Sequence, residues 1–243
     1  MKYLISTILL FSIVAFTYSQ KLYKAVEKGN IEKVKVLLQQ GENVNEYSEN
    51  GLFPLWRAAS DGNYDICKLL IENGANVMQK SKVEPGNTTA IVSACQNGNL
   101  EIVKLLVENG FDINHKEFLG FTPLRIAARN GQFKIIKYLV DKGAEIDTKA
   151  DDKATPLEHA ASKGHVEIVS FLIEKGANVN NKDRDGDFPL GLAAASGYIK
   201  IMKVLLDNGA DIKMTNAKNM TAFEIAKEKG QKKACELIES YMH

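Results

Sequence analysis

A glycine that returns at a fixed interval constrains this chain more than any other feature. Gly98, Gly131, Gly164, Gly197 and Gly230 follow one another at 33 residues. Gly62 lies 36 residues before Gly98, and Gly29 lies 33 before Gly62. A second series, Gly41, Gly74, Gly110, Gly143, Gly176 and Gly209, trails the first by twelve. Two glycine series in one register mean one supersecondary unit repeated about seven times, which places the chain among the solenoids.

The residues between the glycines define the unit. Segments such as Thr122-Pro123-Leu124-Arg125-Ile126-Ala127-Ala128 and Thr155-Pro156-Leu157-Glu158-His159-Ala160-Ala161 precede the first series. Threonine can cap a helix, and proline fits the first helical position, where its missing N–H is no loss. The alanine pair allows close approach to a neighbouring helix. Glycine then ends the helix, because it enters the left-handed conformation without penalty. A second pattern follows, Leu100-Glu101-Ile102-Val103-Lys104-Leu105-Leu106 and Val166-Glu167-Ile168-Val169-Ser170-Phe171-Leu172. Its wide apolar stripe predicts a helix packed against more than one neighbour. Glu32, Asp65, Glu101 and Glu167 stand near the start of that helix, at the positive end of its dipole. Gly143-Ala144-Glu145-Ile146-Asp147 and Gly176-Ala177-Asn178-Val179-Asn180 close the unit, and a polar stretch leads to the next start.

These motifs resemble the ankyrin-repeat pattern, G-x-T-P-L-H-x-A-A-x-x-G-H-x-x-I-V-x-L-L-x-x-G-A-x-V-N, along roughly residues 20 to 240. The resemblance implies an all-α solenoid of helix–turn–helix units joined by β-hairpin-like fingers. Repeats are expected at about 20–45, 50–78, 86–114, 119–147, 152–180, 185–213 and 218–241, the outermost being atypical caps. The pattern's histidine is absent; Trp56, Val92, Arg125, Glu158, Gly191 and Glu224 stand in its place. Gly191 falls inside a helix, where glycine is about 0.5–1 kcal/mol worse than alanine, so Gly191→Ala is expected to stabilise. Three extra residues in the stretch 80–86 predict a longer finger there.

The start of the chain carries a separate signal. Lys2 precedes an apolar run from Leu4 to Phe16, and Thr17 and Ser19 offer small residues before Gln20. That is the layout of a secretory signal peptide over residues 1–19. The run is shorter than the roughly 20 residues a membrane-spanning helix needs. The expectation is therefore a cleaved leader and an exported protein, secreted or periplasmic, with no membrane span after cleavage. Without the leader's one lysine, 30 basic residues face 30 acidic ones. A nucleic-acid binder should show a basic excess.

Little in the chain points to chemistry. No G-x-x-x-x-G-K, H-E-x-x-H or G-x-S-x-G motif occurs, and no metal, cofactor or catalytic set is expected. Cys67, Cys95 and Cys235 lack metal-binding spacing and read as core positions. His159 and His165 read as structural, and Asp151-Asp152 and Asp183-x-Asp185 as fingertip turn residues. Asn87-Thr88-Thr89 and Asn219-Met220-Thr221 match the glycosylation acceptor pattern of eukaryotic secreted proteins.

Function then falls to the surface. The ankyrin resemblance implies binding of another protein by the concave face, made of fingertips and first helices. Phe118, Leu119 and Phe121 surround the turn glycine Gly120, and Tyr47, Leu52 and Trp56 repeat the theme two units earlier. These apolar groups are the candidate partner-binding residues, with Arg125 and Arg129 as a polar rim. The expected protein is a monomeric, non-catalytic scaffold or adaptor acting outside the cytoplasm. A secreted effector that binds a host protein, or a regulatory subunit of an exported enzyme, would present the same kind of surface.

Overall fold

The computed structural model describes residues 20–83 and 86–242. The proposed leader lies outside the described residues, as does part of the longer finger at 80–86. The chain divides into two units, residues 1–112 and 113–243.

In the first unit three helix pairs follow one another: α1 (Lys21–Glu27) with α2 (Ile31–Gln39), α3 (Pro54–Ser60) with α4 (Tyr64–Glu72), and α5 (Ala90–Asn97) with α6 (Leu100–Glu108). The second unit has four: α7 (Pro123–Arg129) with α8 (Phe133–Asp141), α9 (Pro156–Lys163) with α10 (Val166–Glu174), α11 (Pro189–Ser196) with α12 (Ile199–Asp207), and α13 (Ala222–Glu228) with α14 (Lys232–Ser240). Within each unit, first helices stack on first helices and second on second. The described residues hold no strand; the single bridge between Thr215 and Thr221 marks the last finger.

Local chemistry sets the helix starts. Thr122 accepts the Arg125 N–H, and Thr155 and Thr221 form capping boxes with Glu158 and Glu224. Phe53 and Phe188 replace the capping threonine of α3 and α11; each is buried and makes no side-chain cap. The alanine pairs Ala58-Ala59, Ala127-Ala128, Ala160-Ala161 and Ala193-Ala194 are fully buried where first helices meet. The second helices bury the i, i+1 and i+4 positions: Ile66, Cys67 and Leu70, then Ile102, Val103 and Leu106, and so on. Burial pushes the Cys67 thiol up to about 12, so it behaves as a small hydrophobe. Cys95 is also buried, and Cys235 is half-buried.

The glycines of the first series do two jobs. All have positive φ, as a helix-ending glycine should. Several also receive a side chain from the following repeat: His165 stacks on Gly131, where a Cβ would lie 2.7 Å from its ring, and Tyr198 stacks on Gly164. His165 Nε2 is 3.3 Å from the Arg129 carbonyl, which makes this histidine an inter-repeat tie. A second tie recurs 31 residues apart: Asn114, Asp147 and Asn180 accept the backbone N–H of Glu145, Asn178 and Asp211, and Asn45 accepts that of Asn76.

Gly191 corrects an expectation. Its backbone is helical, but a Cβ there would meet the Phe188 ring at 2.9 Å and the Ile225 Cδ1 at 3.2 Å. The large N-cap residue occupies the space an alanine methyl would need, so Gly191→Ala overpacks the core.

Candidate functional site

The fingers are short reverse turns closed four residues apart. Ser48 N–H reaches the Leu52 carbonyl, Glu117 the Phe121 carbonyl, and Asp183 the Asp187 carbonyl. Neighbouring fingers are joined by single backbone bonds: Lys82 to Gly51, Asp151 to Leu119, and Arg184 to Asp152. This spacing is so tight that a Cβ on Gly120, whose φ is +74°, would sit 3.0 Å from the Asp151 nitrogen. Gly120 therefore sets the height of the finger whose tip carries Phe118 and Leu119.

Phe118 and Leu119 are 47% and 49% exposed, the one pair of exposed large apolar residues adjacent in sequence among the described residues. Leu119 holds φ at +60°, a conformation that is sterically costly for a branched L-residue. Glycine, asparagine or aspartate usually fills such a position. Here an apolar side chain is held outward at a backbone cost, the kind of local strain that clusters at binding sites.

Phe121 and Arg125 behave differently from the sequence expectation. Phe121 is half-buried, with the Arg125 guanidinium carbon 3.9 Å from its ring centroid and the His159 ring tilted against it at 6.1 Å. Arg125 is 1% exposed and donates from Nη2 to Asp152 Oδ2 at 2.6 Å. It is no rim residue: its side chain lies against the Phe121 ring and bridges to the next finger. Partial burial alone would raise the Asp152 carboxyl, but the Arg125 guanidinium and the Ala154 N–H outweigh it and hold it below the usual range. His159 is driven down to about 4, first by burial and then by the Arg125 charge, so it is neutral at physiological pH. Arg129 remains exposed at the end of α7.

Tyr47, Leu52 and Trp56 belong to the first unit. Tyr47 is half-buried, edge-on to Phe53, and donates from its hydroxyl to the Lys80 carbonyl at 2.9 Å; the Lys82 ammonium lies 4.1 Å from its ring centroid. Trp56 Nε1 donates to Thr88 Oγ1 at 3.2 Å. Leu52 is half-exposed beside them. Within each unit the candidate residues gather on the fingers and first helices. Phe118 and Leu119 are the two apolar candidates that are exposed, each by about half. Phe121 and Arg125 are set apart from them by one helix start: the finger ends at Phe121, and Arg125 is already three residues into α7.

No group of three or more histidine, cysteine or acidic side chains is placed to hold a metal among the described residues. No described helix is long and apolar enough to cross a membrane.

Paired short helices in register, closed by fingers that carry the exposed apolar groups, define a helical repeat array of the interaction-domain class. The model for ankyrin repeats in sets of three matches the chain in overlapping windows, 18–81, 79–150, 94–183 and 146–216, and the chain belongs to the ankyrin-repeat family. Among solved structures it is similar to the human ASB11 ankyrin repeat domain, with 28% identity and a TM-score of 0.77 over 89% of this chain and 96% of that one. No curated protein matches its sequence. The fold is one that typically serves as a non-catalytic scaffold for protein–protein interaction.

Proposed function

We propose that this chain is a protein-binding scaffold or adaptor that acts outside the cytoplasm and grips its partner with the exposed fingers and first helices. The observation that carries this reading is the Phe118–Leu119 tip: two adjacent apolar side chains, both about half exposed, one held in a left-handed backbone conformation. Burying each against a partner contributes roughly 1.5–3 kcal/mol. Arg129 supplies the nearby polar edge, and Tyr47, Leu52 and Trp56 offer a second aromatic region on the other unit. Action outside the cytoplasm rests on the leader-like sequence Lys2 to Ser19.

Two experiments test it. A photoreactive benzophenone group in place of Phe118 should crosslink the partner in the natural extracellular or periplasmic fraction, whereas the same group in place of Arg184 should do so far less. Equal yields at both positions would remove the finger tip as the site. Intact-mass measurement of the naturally exported protein should give a chain beginning at or near Gln20. Full-length chain retained in salt-washed membranes would instead mean an anchor.

A further inference from the structure

The third helical position of the first helix reaches forward to the next finger in three repeats. Trp56 donates to Thr88, Arg125 to Asp152, and Glu158 accepts from Asn181 Nδ2 at 2.7 Å. At the same position α11 carries Gly191, which has no side chain to send. The Phe188 ring fills the space behind it, and an open groove of about 370 Å³ runs alongside, between α11, α13 and the sixth and seventh fingers. Leu192, Met220 and Ile225 give it apolar surface, and Asp185 and Asp187 line it from the sixth finger.

The charges around the groove favour one kind of occupant. Glu228 and Lys229, both lining it, sit 3.8 Å apart and offset each other. Arg184, which precedes Asp185, sends its guanidinium away to the Asp151 carbonyl. Asp185 and Asp187 have no ion pair within 4 Å among the described residues, and Lys218 is the other cation that lines the groove. Asp187 is held up by partial burial and by the carboxylates of Asp183 and Asp185, with Lys218 offsetting this only in part. Negative charge is left over beside an apolar surface.

We propose that this groove is a subsite for an arginine side chain of the partner protein, its aliphatic stem on Leu192, Met220 and Ile225 and its guanidinium between Asp185 and Asp187. Arginine combines an apolar stem with a planar head whose several donors can span two carboxylates. The proposal rests on the protein-binding reading of the fold, but it does not use the Phe118 finger.

The probe is N-acetyl-arginine methylamide, titrated at low ionic strength into the isotope-labelled protein while backbone amide resonances are followed. Saturable shifts confined to Gly191, Leu192, Ala217 and their neighbours are expected. The norleucine analogue should bind at least fivefold more weakly, and the glutamate analogue should leave these amides unmoved. A double variant, Asp185→Asn with Asp187→Asn, relieves repulsion and should stay folded by its amide spectrum while losing arginine binding tenfold or more. Lys218→Ala should strengthen it. Absence of local shifts, equal binding of norleucine, or binding that survives the double variant would overturn the proposal. Because the titration needs no partner, its failure leaves the Phe118 surface standing, and a failed crosslink at Phe118 leaves this groove standing.

Discussion

Phe188 and Gly191 show how one residue fixes the meaning of another three positions on. With threonine at the cap, as in α7 and α9, the third helical position carries a large side chain. At the start of α11 the Phe188 ring takes that space, and only glycine fits behind it. Phe53 caps α3 with Trp56 behind it, so the demand for glycine comes from where the Phe188 ring lies and not from an aromatic cap as such. Overpacking a close-packed core typically costs about 1–3 kcal/mol, more than the roughly 0.5–1 kcal/mol an alanine gains in helix propensity. Gly191→Ala should therefore lower stability by about 1 kcal/mol, read as a lower urea midpoint at unchanged slope. His159 makes a second prediction at this scale. Its folded value is about 4 against 6.5 for the free side chain, so the unfolded chain binds more protons between those pH values. Stability from this group is complete above pH 6.5 and falls as pH drops toward 4, by about 1–2 kcal/mol at pH 5. Glu158, raised by burial, slopes the other way, so the comparison must be with His159→Gln, whose melting temperature should fall less between pH 7 and pH 5.

At the scale of the element, helices and fingers carry unequal amounts of sequence signal. Helix starts are legible from Thr-Pro and helix ends from glycine, because capping is a local property of the backbone. The alanine pairs and the Ile-Val steps announce which faces are buried. Finger side chains are not legible in the same way. Phe118, Leu119 and Phe121 look alike in sequence, yet Phe121 covers Arg125 while the other two stand clear, since only the last residue of the finger lies over the next first helix. Arg125 reads as a surface charge for the same reason: its partner, Asp152, lies 27 residues away. The asparagine and aspartate ties at 31-residue spacing also escape a motif reading, although Asn114, Asp147 and Asn180 recur in register after Ile or Val and mark them. The strain at Leu119 gives the finger its own test. An asparagine tolerates the left-handed conformation better than leucine does. Leu119→Asn should leave stability unchanged or raise it by up to about 1 kcal/mol in thermal unfolding, while weakening partner binding. A clear loss of stability would mean that Leu119 packs rather than projects.

For the whole molecule, repetition explains why family membership is plain from sequence while partner choice is not. Each repeat contacts its neighbours, so the core pattern must recur and becomes visible as a period. Recognition has no such constraint; it resides in the departures from the period, such as Leu119 and Gly191. Those departures are informative only once neighbouring fingers show what they touch. The central claim is that the Phe118–Leu119 tip is a binding surface and not part of the core. The most direct measurement sets melting temperature against partner affinity for Phe118→Ala, with Arg184→Ala as a control. The tip reading predicts a melting temperature within about 2 °C of wild type and at least a tenfold loss of affinity, each decade being about 1.4 kcal/mol. A sharp fall in melting temperature with affinity per folded molecule intact would contradict it and return Phe118 to the core.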